Sequence, residues 1–510
     1  MKRAVLLLVA VALATAAVVV GRRAAERSLH VSENRLVNAP QPTDANNTPS
    51  LARNPRRPDN VALTHRVDRP GFSAVLHWST DGGRRWRPTQ LPLPDGIDRP
   101  FAPDAAFGPD GTLYVSYVNL VGEGNVPDNL WVAKSTDGGR SLSDPVRVAG
   151  RLAFGARLAV GPDGAVHLTW LQAAEVGFLR LVGGPNPIVA SRSTDGGRTF
   201  SAPVPVSDPT RPRVGAASPV IDARGDLVVL YQDFKEDRRD LEFLEGPPWE
   251  EPFALVVSRS TDGGQSFSIG TELESGVVAT RRFLIFLVEF PSIAAGADGS
   301  LYVSWTDGRD GSEDVYLRRS SDGGRSWSEA TRVNDNPRDD GTSQYMPRVG
   351  VAPSGRVDVV FLDRRRDRAN VMTDAFLAQS TDGGRTFGNH RLSSTSFDSN
   401  VGPYVDATFP IDFGSRLGVL SSESETSAAW TDARFGNEGN GRQDILFAEA
   451  AHRRGGPLAW VLVATLGLFA LLAALGALER ERRAPEETTG REPPRGTPAP
   501  DLVDQPHASP

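Results

Sequence analysis

The stretch Ser320-Ser-Asp-Gly-Gly-Arg-Ser-Trp327 is one of six copies of a pattern, Ser-x-Asp-x-Gly-x-x-aromatic, that decides the fold of this chain; the second copy has Leu142 in place of the aromatic residue. The Asp side chain can accept backbone N–H bonds within a turn, and the Gly-Gly pair allows positive φ without steric cost. The six copies begin at Ser79, Ser135, Ser193, Ser260, Ser320 and Ser380. Self-similarity at a nearly constant period predicts a repeat architecture.

The residues around each copy indicate what one repeat contains. The aspartates of the six copies are Asp81, Asp137, Asp195, Asp262, Asp322 and Asp382, and they lie 56 to 67 residues apart. A β-rich run precedes each copy, as in residues 314–320, and another follows it, as in residues 330–334. Two more strands complete the period, as in residues 291–299 and 301–305. Four short strands bounded by turns predict one blade of a β-propeller.

This pattern resembles the Asp-box, or BNR, repeat of the sialidase-like β-propeller superfamily, and the resemblance covers about residues 34–450. In that superfamily the box joins the third and fourth strands of a blade, on the face opposite the ligand site. We call these two surfaces the box face and the outward face. The resemblance implies that the six box aspartates are structural and that any ligand meets the outward face.

The number of blades is the next question, since six boxes suggest six blades. Strand patterns at 49–55 and 61–65 precede the first box, and three more follow the sixth, at 409–419, 426–430 and 444–448. Residues 35–38 resemble 332–335 and would supply the missing fourth strand of a last blade, removing two exposed sheet edges. We therefore favour seven blades over six, whereas the sialidase catalytic domains that the chain resembles are six-bladed.

Composition narrows the function classes. The chain has 510 residues with 51 Gly and 39 Pro, as expected of a turn-rich all-β protein. It has no Cys, which excludes disulfides, thiolate catalysis and Cys-ligated zinc. The net charge is −7 and no basic stripe appears, so nucleic acid is not an expected partner.

Two apolar segments bracket the expected propeller, which we place at residues 28–450. Residues 1–27 read as a signal peptide, or as an anchor if they are not cleaved. Residues 457–478 carry no charge over 22 positions and predict a transmembrane helix; a buried core helix is the alternative. Residues 479–510 predict a disordered cytoplasmic tail. The protein is thus expected to cross the membrane once, or twice with an uncleaved leader, with its propeller outside the cytoplasm.

Candidate ligand contacts lie on the outward face. Three repeats place an Asp-x-Arg triplet after the second strand, at Asp307 and Arg309, Asp363 and Arg365, and Asp432 and Arg434. Guanidinium groups suit a carboxylate or phosphate ligand, although a repeated Asp–Arg pair also suits a structural loop cap. Arg348 is a further candidate, and Trp249 could stack on a sugar or pack locally. Insertions at 172–185, 235–252 and 272–290 add apolar residues, which suit a partner site or a self-packed cap.

Catalysis can be tested against what the resemblance implies. Sialidases use three arginines on the substrate carboxylate, a Tyr nucleophile assisted by Glu, and an Asp acid/base. Tyr345 and Tyr404 qualify as nucleophiles by location only, and the Phe-Arg-Ile-Pro motif of the family is missing. Two functions remain: a module that recognises a glycan or protein outside the cell, and a sialidase-type glycoside hydrolase acting on sialosides or related acidic sugars.

No cofactor is expected, with one qualification. The loop that contains Asp307, Asp310, Ser312, Glu313 and Asp314 is rich in oxygen ligands and would suit calcium. It lacks the spacing of a known calcium loop, so a solvated polar turn is the alternative.

Overall fold

The computed structural model describes residues 28–41, 43–123, 125–174, 185–235, 252–278, 291–403 and 413–453. Within this range Leu29–His452 forms one compact unit. The described residues form thirty β-strands in seven antiparallel sheets, without a helix among them. Two strands come from the N-terminal segment, β1 (Ser28–Val31) and β2 (Arg35–Leu36), and the others follow in chain order.

Each sheet is one blade built from consecutive strands. The first blade contains β3 (Ala45–Arg53), β4 (Val61–Arg69), β5 (Ser73–Ser79) and β6 (Arg87–Gln90). The second contains β7 (Pro100–Phe107), β8 (Leu113–Val121), β9 (Val126–Ser135) and β10 (Val146–Ala149). The third contains β11 (Ala153–Val160), β12 (Val166–Gln172), β13 (Ile188–Ser193) and β14 (Val204–Pro205). The fourth contains β15 (Val214–Ile221), β16 (Leu227–Asp233), β17 (Phe253–Ser260) and β18 (Thr271–Val277).

The remaining blades follow the same plan. The fifth contains β19 (Ser292–Ala295), β20 (Leu301–Asp307), β21 (Asp314–Ser320) and β22 (Thr331–Arg332). The sixth contains β23 (Gln344–Val351), β24 (Val357–Asp363), β25 (Met372–Ser380) and β26 (Gly388–Arg391), with β27 (Phe397–Asp398) paired to β25. The seventh contains β28 (Gly418–Ser421), β29 (Glu425–Asp432) and β30 (Asp444–Arg453), completed by β1 and β2.

The first strands of neighbouring blades contact one another around the whole ring and surround a central channel. The prediction of seven blades is therefore confirmed, and the six-bladed alternative is wrong. Two expected boundaries change. The first blade begins at Ala45, and the inner strand of the last blade begins at Gly418.

The N-terminal segment closes the ring in the way that the sequence predicts. Arg35 and Leu36 pair with Phe447 and Leu446 of β30. Beyond them, Asn38 accepts the Ile445 N–H at 2.7 Å and donates to Asp444 at 2.9 Å.

The fifth blade repeats this geometry within one continuous segment. Asn334 accepts the Val315 N–H at 2.8 Å and donates to Asp314 at 2.6 Å. The two ends of the propeller are thus joined by the same hydrogen bonds that complete an ordinary blade.

The core lies between adjacent blades, because each sheet buries both faces against its neighbours. Three tryptophans at the same position of a second strand, Trp170, Trp305 and Trp430, are almost completely buried. The blades approach closely at the boxes. A Cβ on Gly139, whose φ is +101°, would lie 2.9 Å from the Cβ of Trp78 in the preceding blade. Both the backbone angle and the space at this position require glycine.

Each box joins the third and fourth strands of its blade, as expected. In the box of the fifth blade, Asp322 Oδ1 accepts the Ser320 hydroxyl at 2.8 Å and the backbone N–H groups of Arg325 and Ser326 at 3.0 and 2.9 Å. The Ser326 hydroxyl donates to Oδ2. These hydrogen bonds hold the pKa of Asp322 well below its usual range, and the bond from the Ser326 hydroxyl contributes most.

The membrane segments proposed from sequence, 1–27 and 457–478, lie outside the described residues, as does the tail at 479–510. The part of the chain that the structure describes contains no helix long and apolar enough to cross a membrane.

Candidate functional site

The Asp-x-Arg triplets form closed pairs on the outward face. The aspartates end the second strands β20, β24 and β29, and all three are fully buried. Each carboxylate accepts both the backbone N–H and the guanidinium Nε of the arginine two residues later, in the pairs Asp307–Arg309, Asp363–Arg365 and Asp432–Arg434. Each arginine is therefore held by its own loop.

The sixth blade shows how fully such a guanidinium is engaged. Arg365 also contacts Asp335, donates to Asn389 at 2.9 Å and lies 4.6 Å above the Phe376 ring. Burial raises the pKa of Asp363 to about 6, although the Arg365 charge opposes this shift. The donors of Arg365 are used within the protein, which matches a loop-capping role.

The other site residues predicted from the sequence lie elsewhere. Tyr345 is 1% exposed in the core between the sixth and seventh blades, and its hydroxyl lies 2.7 Å from Ser399 Oγ and 3.2 Å from Thr373 Oγ1. Tyr404 and Trp249 lie outside the described residues. Most residues of the three insertions also lie outside the described residues. The first part of the insertion at 272–290 belongs to β18 (Thr271–Val277).

A different set of charged side chains meets inside the channel, around Asp104 of β7. Asp104 is 3% exposed. Its carboxylate accepts the Ser50 hydroxyl at 2.6 Å and the Leu158 N–H at 3.0 Å, from the first strands of both neighbouring blades. Arg157 Nε lies 3.2 Å from Asp104 Oδ2. Asp104 therefore joins the inner strands of three blades.

Arg416 and Arg348 reach the same place from the seventh and sixth blades. Arg416 Nη2 donates to the Pro103 carbonyl at 2.5 Å and lies 3.7 Å from Asp104 Oδ1. Within the described residues the Arg348 guanidinium makes no hydrogen bond or ion pair. It interacts electrostatically with Asp104 and Arg157. Asp104, Arg157, Arg348 and Arg416 are called the axial arginine cluster below.

The electrostatics of this cluster show an excess of positive charge. Burial disfavours the Asp104 carboxylate, but Arg157 and Arg416 outweigh burial and its pKa is lowered. Burial and then repulsion from Arg157 lower the pKa of Arg348 to about 9, and the same causes lower the pKa of Arg416 well below its usual value. Because guanidinium groups stay protonated in proteins, these shifts express a cost of holding two cations with too little negative charge.

The axial arginine cluster lies in the outward half of the channel. First strands run from the outward face to the box face, and Arg416 precedes β28, so it lies at the outward end. Arg66, near the outward end of β4, stands beside the cluster and pairs with Asp68 at 2.9 Å. The side chains of the cluster are buried except that of Arg348, which keeps partial exposure. Arg348 is therefore the member best placed to meet a ligand.

Of this cluster, the sequence had pointed only to Arg348. The register of the first strands would also have indicated Asp104 and Arg157. Asp104, Arg157 and Arg348 each follow a register shift in a first strand, at the position that Ser50 and Ser218 occupy in other blades. A charged residue in a strand buried on both faces is rare. Aligning the blades before choosing arginines would have identified these positions.

Metal binding finds no support among the described residues, where no group of three or more His, Asp or Glu side chains could hold an ion. In the loop proposed for calcium, Asp307 is engaged with Arg309, Asp310 contacts Tyr316 and Arg338, and Asp314 is engaged with Arg332.

Comparisons with known proteins give no match by sequence. No protein-family model matches the chain, and no curated protein matches it.

Similar solved structures exist. One is a protein of unknown function from Dyadobacter fermentans, with 14% identity and a TM-score of 0.46 over 83% of this chain and 99% of that one. Another is the polysaccharide lyase PL25 ulvan lyase, with 12% identity and a TM-score of 0.48 over 81% and 95%. A third is the Hadza microbial sialidase Hz136, with 16% identity and a TM-score of 0.43 over 76% and 73%. The resemblance to sialidase-like propellers is confirmed at the level of the fold, by a ring of antiparallel blades in which six boxes join third and fourth strands.

Proposed function

We propose that this chain is a membrane-tethered recognition module whose propeller binds an acidic ligand outside the cytoplasm, at the outward end of its channel. The axial arginine cluster is the observation that carries the proposal. Buried charges in proteins are normally paired, because desolvating an isolated ion costs several kcal/mol or more. A site that holds Arg157, Arg348 and Arg416 around the single carboxylate of Asp104 bears this cost in the free protein and recovers it when an anionic group binds.

The position of the chain ends supports the proposed tether. Ser32 donates its N–H to the Glu449 carbonyl, so β1 begins beside the end of β30. The His452 N–H bonds to Ser424, in the turn between β28 and β29 on the box face. Both connections toward the predicted membrane segments therefore leave from the box face, which is the face opposite the axial arginine cluster.

The second candidate function is a sialidase-type hydrolase, which the same cluster favours because arginines suit a substrate carboxylate. The described residues offer little for the chemical step. Tyr345 is buried, and both oxygens of Asp104 already accept hydrogen bonds. Binding without turnover is therefore the function that the described geometry supports best.

Calorimetry on the full-length protein tests the proposal with N-acetylneuraminate, glucuronate and neutral glucose. We expect the two acids to bind and glucose not to bind. The variant Arg348→Met should lose at least tenfold in affinity for the acids. It should also unfold at higher temperature without ligand, because removing a half-buried charge that makes no ion pair within the described residues stabilises by about 1–3 kcal/mol.

The matched control is Arg325→Met, which removes an exposed arginine on the box face whose guanidinium bonds only to its own turn. Equal loss of affinity in both variants, or no binding of either acid by wild-type protein, would contradict the proposal. Hydrolysis of a fluorogenic sialoside, abolished in Arg348→Met but kept in Arg325→Met, would instead establish the hydrolase.

A further inference from the structure

The axial arginine cluster also contains information about the charge of its ligand. Asp104 is the single carboxylate that the cluster holds, and Arg157 lies closest to it, at 3.2 Å. Arg416 stays 3.7 Å away, and Arg348 makes no ion pair within the described part of the chain. Arg66 is already matched by Asp68. Asp104 balances one of the three guanidinium charges of the cluster, so two positive charges, shared by Arg348 and Arg416, are left for a ligand.

We propose that the ligand presents a doubly charged oxyanion of the phosphate-monoester class to Arg348 and Arg416. This inference rests on the proposed function and specifies the chemistry of the same site. One phosphate carries nearly two negative charges at neutral pH and three acceptor oxygens. It would neutralise both guanidinium groups, whereas a carboxylate or sulfate ester would neutralise one.

A single dianionic group fits better than two separate carboxylates. Arg416 and Arg348 come from adjacent blades and repel each other, and both interact with Asp104. Two guanidinium groups that interact with the same carboxylate can be bridged by one small ligand group. A compact group that brings both negative charges to them gains two charge-assisted contacts while ordering only one ligand group.

The second proton of a phosphate monoester has a pKa of about 6, which gives a direct test. Between pH 5.5 and 7.5 the charges facing the site stay constant, because the guanidinium groups of Arg157, Arg348 and Arg416 remain protonated and the pKa of Asp104 is lowered. His65, which contacts the Arg66 carbonyl, remains neutral because burial lowers its pKa to about 4. A change in affinity over this range therefore reports the proton on the ligand.

The experiment compares glucose 6-phosphate, glucose 6-sulfate and glucuronate by calorimetry on the full-length protein. At pH 7.5 we expect the phosphate to bind at least tenfold more tightly than the two monoanions. Its affinity should fall about fourfold at pH 5.5, as the dianion fraction falls. The affinity of the sulfate should not change.

Variants separate charge from folding. Arg348→Met should bring the phosphate down to the affinity of the sulfate, Arg348→Lys should keep the preference, and Arg325→Met should behave as wild type. Equal affinities for all three sugars would overturn the dianion while leaving the proposed function in place. Binding of none of them would overturn both.

Discussion

Aspartates have three different structural roles in this molecule, and the hydrogen-bond donors around each carboxylate determine its role. A box aspartate such as Asp322 is met by hydroxyl and backbone donors and folds a turn. A strand-end aspartate such as Asp363 is met by an arginine two residues later and caps a loop. Asp104 is met by donors from other blades and joins inner strands at the centre. Residue type alone does not separate these roles, but the position along the blade does.

The box aspartates should affect stability and leave binding unchanged. Asp322→Ala removes the acceptor of two backbone N–H groups and two hydroxyls, so we expect it to lower the free energy of unfolding by about 1–2 kcal/mol. Denaturant titration of the variant measures the loss, and calorimetry with an acidic sugar checks the site. A loss of ligand affinity at an unchanged melting temperature would contradict this assignment of Asp322.

At the scale of elements, the boxes also link each blade to the next. The residue before a box serine points at the following box. Lys134 donates to the Gly196 carbonyl at 2.7 Å, and Arg259 donates to the Gly323 carbonyl at 2.8 Å. The repeated turn therefore fixes both its own hairpin and the spacing between blades, which explains why the pattern recurs even though the strands around it vary.

The N-terminal segment that completes the seventh blade is short, yet we expect its hydrogen bonds to contribute strongly to the stability of the propeller. Asn38→Ala leaves the buried Ile445 N–H without its acceptor and removes one donor from the Asp444 carboxylate, which keeps Arg442. We expect a loss of about 1–3 kcal/mol in the free energy of unfolding. Asn334→Ala, at the equivalent position of the fifth blade, should cost a similar amount, whereas the exposed Asn400→Ala should not. A neutral effect of Asn38→Ala would contradict closure through this segment.

The same elements show what sequence reasoning can and cannot predict. Blade number and ring closure follow from local signals, because a box, or the likeness of residues 35–38 to 332–335, is visible within a few residues. The axial arginine cluster did not, since Asp104, Arg157 and Arg416 are far apart in sequence and meet only when the ring closes. Arg309, Arg365 and Arg434 stand out in the sequence because they recur in several blades. A structural Asp–Arg pair produces the same recurrence, so the repeat does not by itself indicate a ligand site.

At the scale of the whole molecule, buried histidines couple the fold to pH. His65 and His77 stack 5.1 Å apart between adjacent strands of the first blade, and both are buried. Burial lowers the pKa of His65 and that of His167 to about 4, and it lowers the pKa of His77 still more clearly, with repulsion from His65 as a second cause. The propeller thus holds three imidazoles in their neutral form.

The protein should therefore lose stability in mild acid. An unfolded histidine has a pKa of about 6.5, so below that pH the unfolded state binds protons that the folded state excludes. The stability due to neutral histidine is complete above pH 6.5 and decreases toward pH 4, by about 2 kcal/mol for each histidine at pH 5. Aspartates whose pKa is lowered on folding add little at pH 5, because their unfolded pKa is about 3.9. Asp363 acts in the opposite direction: its pKa is raised to about 6, so it gains a proton in the folded state and offsets about 1 kcal/mol of the loss. Denaturant titrations at pH 7.5 and 5.0 measure the difference, and His167→Gln, which cannot take up this proton, should reduce it by about 2 kcal/mol. An unchanged difference in that variant would mean that His167 is protonated in the folded propeller and that its burial does not exclude the charge.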